Sequence, residues 1–598
     1  MATTATTRAP KRTKIAAASK SAVGQAMATE LGELSAKQQA ILPSDTGPKK
    51  DSQAWADKFR RFKSWFELEH RRQEINRYQM ALDCDYYDGH QWTQEEAREV
   101  RNRGQNPIVL NEIKPTIDWL IGTERRMRRD FKVLARFNST KEAGKDAEVK
   151  TNLLKYLDDA NKSKFERSAA ADDQFKAGMG WLEVGISADP DDEQIYLRNE
   201  SWRNMLHDSL ATRVRDFEDG RYIFRFREVD LDIALAYFPD CAHELQRASD
   251  YGGLSDAMAD DWHGTWPGSR VLGDTQLPAR WLSYNIESDQ LNSRKRVALV
   301  ECWYKEPTRE STGQGAGVNE RVRMKVRLAI FTRHDLLMDV DSPYAHNRYP
   351  FIPVWAYRSK RDGMPYGPVR QCRGPQDSLN KRHSKSEFLL SVNQVRIEKG
   401  AIDAEVMDED ELRDELAAPD GFAVFNDGAL SAGKVQVREG GQIAAGHLEL
   451  ADRHAFAIRS VSGVSMESRA QDTTAPSGKA RNIKAEQQSI ITSELFDNQL
   501  QAHQVEGELL LSLIEQWFTE EKTFSVTGER MKLDYFTINQ VDPVTGQKVN
   551  DVTAFKAQFV IGQQPWKQAL AEAAFESAMD MLGQLASVAT LLAADVRW

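Results

Sequence analysis

The sequence predicts a helix-rich α+β protein, and three observations carry that prediction. Trp55, Phe59, Phe62, Phe66 and Tyr78 recur at helical spacing among Lys, Arg and Glu, the mark of a long helix with one apolar face. Residues 181–355 instead alternate apolar and polar positions in short runs broken by turn residues, the period of half-buried strands. Between 344 and 390 an extended, aromatic, proline-rich segment gives way to a long helical run.

The elements follow in order. Residues 1–50 are rich in Ala, Thr, Lys and Ser without apolar period, the composition of a disordered basic tail. After the aromatic helix, Asp88-Gly89 marks a turn, and Thr93 with Glu96 forms a capping box for a short helix. A further helix carries Ile113, Ile117, Leu120 and Ile121 and ends in Arg125, Arg126, Arg128 and Arg129. These cations suit a helix C-terminus, and that reading is preferred to a phosphate site.

Residues 141–180 are expected to be helical, and 181–186 with 194–202 to form a hairpin around the acidic turn 189–192. That turn lacks the alternating ligands and distal Glu of a calcium loop. Strands are expected at 221–229, 296–307, 321–332 and 335–343, with a Gly/Asp/Ser-rich excursion over 242–290.

Pro350, Pro353 and Pro365 keep the residues before them out of the helical region, and Pro368 fits the first turn of the helix expected over 366–397. Lys381 and Lys385 share one face of it, continued by Phe388, Val392 and Val395. A compact insertion, 398–441, contains an acidic helix with Asp408, Glu409, Asp410, Glu411, Asp414 and Glu415. A second helix is expected over 446–462, then a Ser/Thr/Gly-rich loop carrying Arg469, Lys479 and Arg481. A helix over 480–518 would reach about 60 Å at 1.5 Å per residue, with a polar gap from Asp497 to Gln504. Strands at 523–528, 532–540 and 554–562 and a terminal helix over 565–594 complete the chain.

Composition limits the function. The 598 residues are 40% hydrophobic and 28% charged, and mean hydropathy is −0.59. No run approaches the roughly 18 apolar residues of a membrane span. Four dispersed cysteines (Cys84, Cys241, Cys302, Cys372) form no CxxC pair, which points to a reducing compartment. Net charge is −10, with +5 in residues 1–50 and −15 in the remainder. An acidic body is a poor general adhesive for nucleic acid.

No catalytic, cofactor or metal constellation is found. GxSxG, HExxH and a strand-following GxGxxG are absent. The loop near Gly478 fails as a Walker A motif, because Thr473 stands where a Gly is needed and Ala480 where Ser or Thr would hold magnesium. The pairs Asp83/Asp85 and Asp408/Asp410 are the only carboxylates that would support an enzyme reading, and the acidic insertion has no His or Cys partner nearby.

A colinear set of phrases carries a family resemblance: YYDGHQW, NEIKPTIDWLIGTERRMRRDFKVL, VECWYKEP, DSPYAHNRYPFIPVWAYR, YGPVRQCRGPQDSLNKRHSK and TAPSGKA. With the order of elements, the chain resembles the portal proteins of tailed bacteriophages, most closely those of short-tailed phages, over about 80–590. The resemblance implies a dodecameric ring at one capsid vertex, assembled in the host cytoplasm. Through it double-stranded DNA passes during packaging and ejection, without sequence specificity.

The implied parts are a wing (51–365 with 519–562), stem helices (366–397 and 442–463), a clip (398–441), a tunnel loop (464–480), a long helix (481–518) and a short helical crown from 563. The wing-to-stem angle would be set by Pro365 and Pro368. Implied DNA contacts are Arg469, Lys479, Arg481 and Lys484, with Lys381 and Lys385 as stem lumen candidates. The acidic clip, Asp408, Glu409, Asp410, Glu411, Asp414 and Glu415, would face the terminase large subunit and later tail adaptors. Major capsid and scaffolding proteins are further implied partners. The alternatives are a packaging-associated nuclease or ATPase, or an internal or adaptor virion protein.

Overall fold

Trp55, Phe59, Phe62 and Phe66 form one face of a single helix, α1 (Gln53–Asp88), laid across a β-sheet, whereas Tyr78, twelve residues on, is exposed. The structure, a computed structural model, describes residues 53–565 except for several short segments and the longer stretches 251–294 and 464–477. The basic tail and terminal helix expected from sequence, the acidic turn at 189–192 and most of the excursion lie outside the described residues.

After α1 come α2 (Gln94–Asn102), α3 (Ile113–Arg126), β1 (Arg129–Ala135), α4 (Lys141–Ala160) and α5 (Ser163–Lys176). The β-rich block holds β2 (Met179–Ile186), β3 (Ile195–Glu200), β4 (Met205–His207), β5 (Tyr222–Asp230), α6 (Leu231–Tyr237), α7 (Ala242–Asp250), β6 (Arg296–Thr312), β7 (Asn319–Phe331), β8 (Leu336–Asp341) and β9 (Phe351–Trp355). A small hairpin, β10 (Tyr357–Arg358) and β11 (Pro365–Tyr366), leads into α8 (Pro368–Ser391). Next are β12 (Gln394–Ile397), β13 (Val435–Arg438), α9 (Gly441–Ser462), α10 (Gly478–Trp517), β14 (Lys522–Thr527), β15 (Leu533–Ile538), β16 (Gln540–Val541), β17 (Lys548–Val549) and β18 (Phe559–Pro565).

Strands β4 to β8 form one antiparallel sheet in sequence order, and β3-β2-β9 form a second. The first is buried on both faces because β6 alternates two apolar sets. Ala298, Val300, Cys302 and Tyr304 meet α1, whereas Val297 and Leu299 meet α6 and α7. On the α1 side, Phe62 lies 4.7 Å from Tyr304, Phe66 5.4 Å from Phe224 and Phe59 6.2 Å from Phe331, between ring centroids. Each fully buried aromatic is worth about 2 kcal/mol in transfer free energy alone. The capping box expected at Thr93 and Glu96 is formed.

The long helix α10 packs against α4, α5 and β9, and its polar gap is partly buried against them, with Asp497 and Gln504 exposed. Gln499 donates to Gln174 at 2.6 Å, Asn498 to the Ala356 carbonyl at 3.1 Å, and His503 stacks on Phe131 at 4.1 Å. Two buried ion pairs continue the seam, Arg167 with Glu506 at 2.8 Å and Lys150 with Glu515 at 2.6 Å. The gap is polar because its partners are polar. Strand β1 pairs with β18 across more than 400 residues of chain, Val133 opposite Ile561.

One expected element changes identity. The helix expected over 366–397 ends at Ser391, and residues 394–397 form β12 against β13, Val395 opposite Val437. Val395 and Ile397 alternate with Gln394 and Arg396, a β-branched pattern of period two that becomes a strand because it meets the matching run Val435–Arg438. Val395 therefore does not extend the helical face carrying Phe388. The second helix of the pair begins at Gly441, five residues before its expected start.

Candidate DNA-channel and docking site

Two helices and the small module between them form the candidate site, and α8 is launched from a tight backbone crossing. At Gly178, φ is +103° and an added Cβ would lie 2.3 Å from the Tyr366 carbonyl carbon. At Gly367 it would lie 2.9 Å from the carbonyl oxygens of Phe175 and Lys176. The chain can therefore pass from β11 into α8 only where both crossing residues lack side chains. Pro368 then occupies the first helical position, where its missing N–H costs nothing.

The first turns of α8 are tied to α1. Fully buried Asp83 lies 2.9 Å from Arg370 and 3.3 Å from Arg373, and Arg370 also donates to Asn76 at 2.8 Å. Burial pushes the Asp83 carboxyl up to about 6, against the pull of the two guanidinium groups. Tyr86 donates to Asp377 at 2.6 Å.

Further along, α8 presents a polar ladder to the extended segment 105–112. Glu112 N–H donates to Gln376 at 3.1 Å, Leu110 N–H to Asn380 at 3.0 Å and Ile108 N–H to Ser384 at 3.0 Å. Gln376 returns a bond to the Leu110 carbonyl at 2.7 Å, and Asn380 donates to Gln91 at 2.6 Å. Spacing of four residues puts the three side chains on one helical face. The ladder satisfies backbone groups that no sheet satisfies. Sequence reasoning missed it, although two buried amides and a serine at that spacing in a helix are the available signal.

On another face, α8 packs along α9. Val369, Cys372 and Leu379 share a core with Ala451, Ala455 and Ile458. Arg459 of α9 reaches Glu112 at 3.0 Å, and Arg382 meets His447 at 3.1 Å. Thus α8 is held between α9 and the N-terminal helical layer. Beyond the pair, β12 and β13 form the neck of the insertion, whose small core is Ala401, Ala429 and Val435.

The candidate residues fall into three groups. Lys381 and Lys385 are both exposed on α8, and Lys381 is ion-paired with Glu96 of α2 at 2.8 Å, a bond that holds its ammonium above its ordinary range. In the insertion, Asp408, Glu411 and Glu415 are exposed. Glu409, Asp410 and Asp414 lie outside the described residues, as does Arg469. Lys479, Arg481 and Lys484 fall on the first two turns of α10. The described residues contain no cluster of His, Cys, Asp and Glu that could hold a metal ion, and no helix among them is long and apolar enough to cross a membrane.

Comparison with known proteins identifies the family. Residues 63–596 match the family model described as phage P22-like portal protein. A portal protein of Helicobacter pylori bacteriophage KHP30 is 19% identical over 480 residues, covering 78% of this chain and 69% of the relative. A family match over nearly the whole chain, on a helix pair with an intervening module, decides the assignment: the chain belongs to the P22-like phage portal protein family.

Proposed function

We propose that twelve copies close into a ring whose stem is the α8/α9 pair and whose clip is the insertion necked by β12 and β13. Family membership makes the chain a structural component rather than an enzyme, an oligomeric portal at the capsid vertex serving genome packaging. The twelvefold number, the division into parts and the residue roles are the proposal. The observation that carries it is the helix pair itself: α8 and α9 share one core and are joined by a module whose strands close at the helix ends.

In this reading Arg469, Lys479, Arg481 and Lys484 touch the phosphate backbone of double-stranded DNA without reading bases. Lys385, and Lys381 within its ion pair, add positive charge along the stem. An otherwise acidic subunit, −10 per copy, keeps DNA from adhering, because affinity follows the number of phosphates neutralised. The acidic face built on Asp408, Glu409, Asp410, Glu411, Asp414 and Glu415 receives the terminase large subunit and then tail adaptors. Contacts with major capsid and scaffolding proteins form as the particle assembles in the host cytoplasm. Pro365 and Pro368 set the wing-to-stem angle, and replacing both with Ala impairs ring closure or packaging.

Electron micrographs of the purified protein test the ring, with twelvefold axial projections expected; a chain that stays monomeric beside scaffold and capsid protein overturns it. Lysine substitution at Asp408, Glu411 and Glu415 is expected to weaken terminase capture while leaving rings intact. Unchanged capture would remove the clip assignment.

A further inference from the structure

Where α8 and α9 run on past their shared apolar core, three nitrogen side chains converge without a counter-charge. Arg382 and Lys385 lie three residues apart on α8 and so share a face. His447 of α9 meets them, its Nδ1 3.1 Å from an Arg382 guanidinium nitrogen. A guanidinium can only donate, so Nδ1 accepts, the ring is neutral, and its own N–H sits at Nε2. Burial lowers the basicity of this imidazole, and Lys385 and then Arg382 lower it further. All three groups keep access to solvent, Lys385 exposed and the other two half-buried.

The neighbouring carboxylates are committed elsewhere. Glu449, two residues beyond His447, takes Arg453 at 2.7 Å. Glu96 takes Lys381 at 2.8 Å, and Glu112 takes Arg459 at 3.0 Å. Glu387 follows Lys385 by two residues, about 200° round the helix. Among the described residues neither Arg382 nor Lys385 is ion-paired. The helix dipole does not account for them either, because its pull is confined to the last turn, and α8 runs on to Ser391 with no basic residue in that turn. Like charges at this helical spacing repel, so the cluster costs stability until an anion joins it.

We propose that Arg382, Lys385 and His447 form a phosphate-binding cluster on the α8/α9 seam, which takes the phosphodiester of duplex DNA. The guanidinium supplies paired N–H donors, the ammonium a point charge and the imidazole a third donor, a set that matches phosphate oxygens. DNA as the source of the phosphate rests on the stem reading above. It carries one negative charge per roughly 1.7 Å of its axis, which is the anion density a cluster without its own carboxylate lacks. The contact is to the backbone and reads no sequence.

Carbethoxylation of His447 by diethyl pyrocarbonate, followed by mass spectrometry on the assembled full chain, tests the cluster. A short DNA duplex is expected to slow the reaction at least about fivefold, and inorganic phosphate to slow it less, as a single anion in place of a polyanion. Arg382→Gln/Lys385→Gln is expected to bind the duplex at least about tenfold more weakly at low salt, with the slope of log affinity against log salt reduced by about 2. Arg60→Gln/Arg213→Gln removes the same charge from surface ion pairs and is expected to bind as wild type does. Slowing by inorganic phosphate but not by duplex keeps the cluster as a free-phosphate site and overturns DNA as its source. Carbethoxylation unaffected by either anion, an unchanged salt slope, or protection by the terminase large subunit alone overturns the proposal and leaves the ring standing. Failure of the ring itself is read separately, in micrographs taken without added anion.

Discussion

The Asp83 carboxylate lies 2.9 Å from the Arg370 guanidinium, and this pair ties the long N-terminal helix to the first turn of the stem. Both groups come from segments 287 residues apart, and Asp83 has no exposure to solvent. Removing one partner of a buried pair leaves an uncompensated charge. Asp83→Ala is therefore expected to cost about 3 kcal/mol, read as a lower thermal unfolding midpoint. An unchanged midpoint would show that the tether is dispensable.

Titration of Asp173 gives a signed pH effect. Burial, its largest influence, pushes this carboxyl up to about 7, opposed by Arg203. A carboxyl raised in the folded state binds protons more readily there than in the unfolded chain, so protonation favours folding. Its contribution is complete below the ordinary value of 3.8 and is lost as pH rises through about 7. Between pH 8 and pH 5, wild type should gain stability relative to Asp173→Asn. Parallel pH profiles for the two proteins would refute this.

Two glycines should respond in opposite directions. Gly178→Ala places a Cβ 2.3 Å from the backbone of Tyr366 at a left-handed φ of +103°, and should prevent the β11-to-α8 crossing from forming. Gly446 lies inside α9 with nothing within 4 Å of an added Cβ, so Gly446→Ala should stabilise by about 1 kcal/mol. Denaturant midpoints measure both.

Asn380→Ala strips the ladder of its central acceptor and donor. The Leu110 N–H, which bonds Asn380 at 3.0 Å, should then exchange with solvent faster. The global cost is expected at about 2 kcal/mol. Hydrogen exchange resolved to residues 108–112 would show no change if the ladder were incidental.

The Lys150–Glu515 pair fixes α4 to the end of α10, with side chains 1% and 7% exposed. Lys150→Met alone should destabilise by about 3 kcal/mol, and adding Glu515→Leu should recover most of that loss. A double variant as weak as the single one would show that the pair is worth more than its desolvation.

Several elements were legible in the residues themselves because their signals are local. The aromatic stripe of α1, the alternation of β5 to β8, the Thr93–Glu96 cap and the proline-launched α8 need only a helical or strand period and a turn. The colinear phrases identified the portal family, and no catalytic motif competed with that reading. Pairing across long separations was not legible: β1 with β18, Asp83 with Arg370, and Asn380 with Leu110 depend on which surfaces meet. The end of α8 was misread for the same reason. Residues 394–397 are a strand because Val435–Arg438 lies beside them, and a strand needs a partner. The polar gap in α10 became a partly buried seam only when Gln174 and Phe131 were brought to it. Periodicity fixes which face an element buries; only the folded chain supplies what that face is buried against.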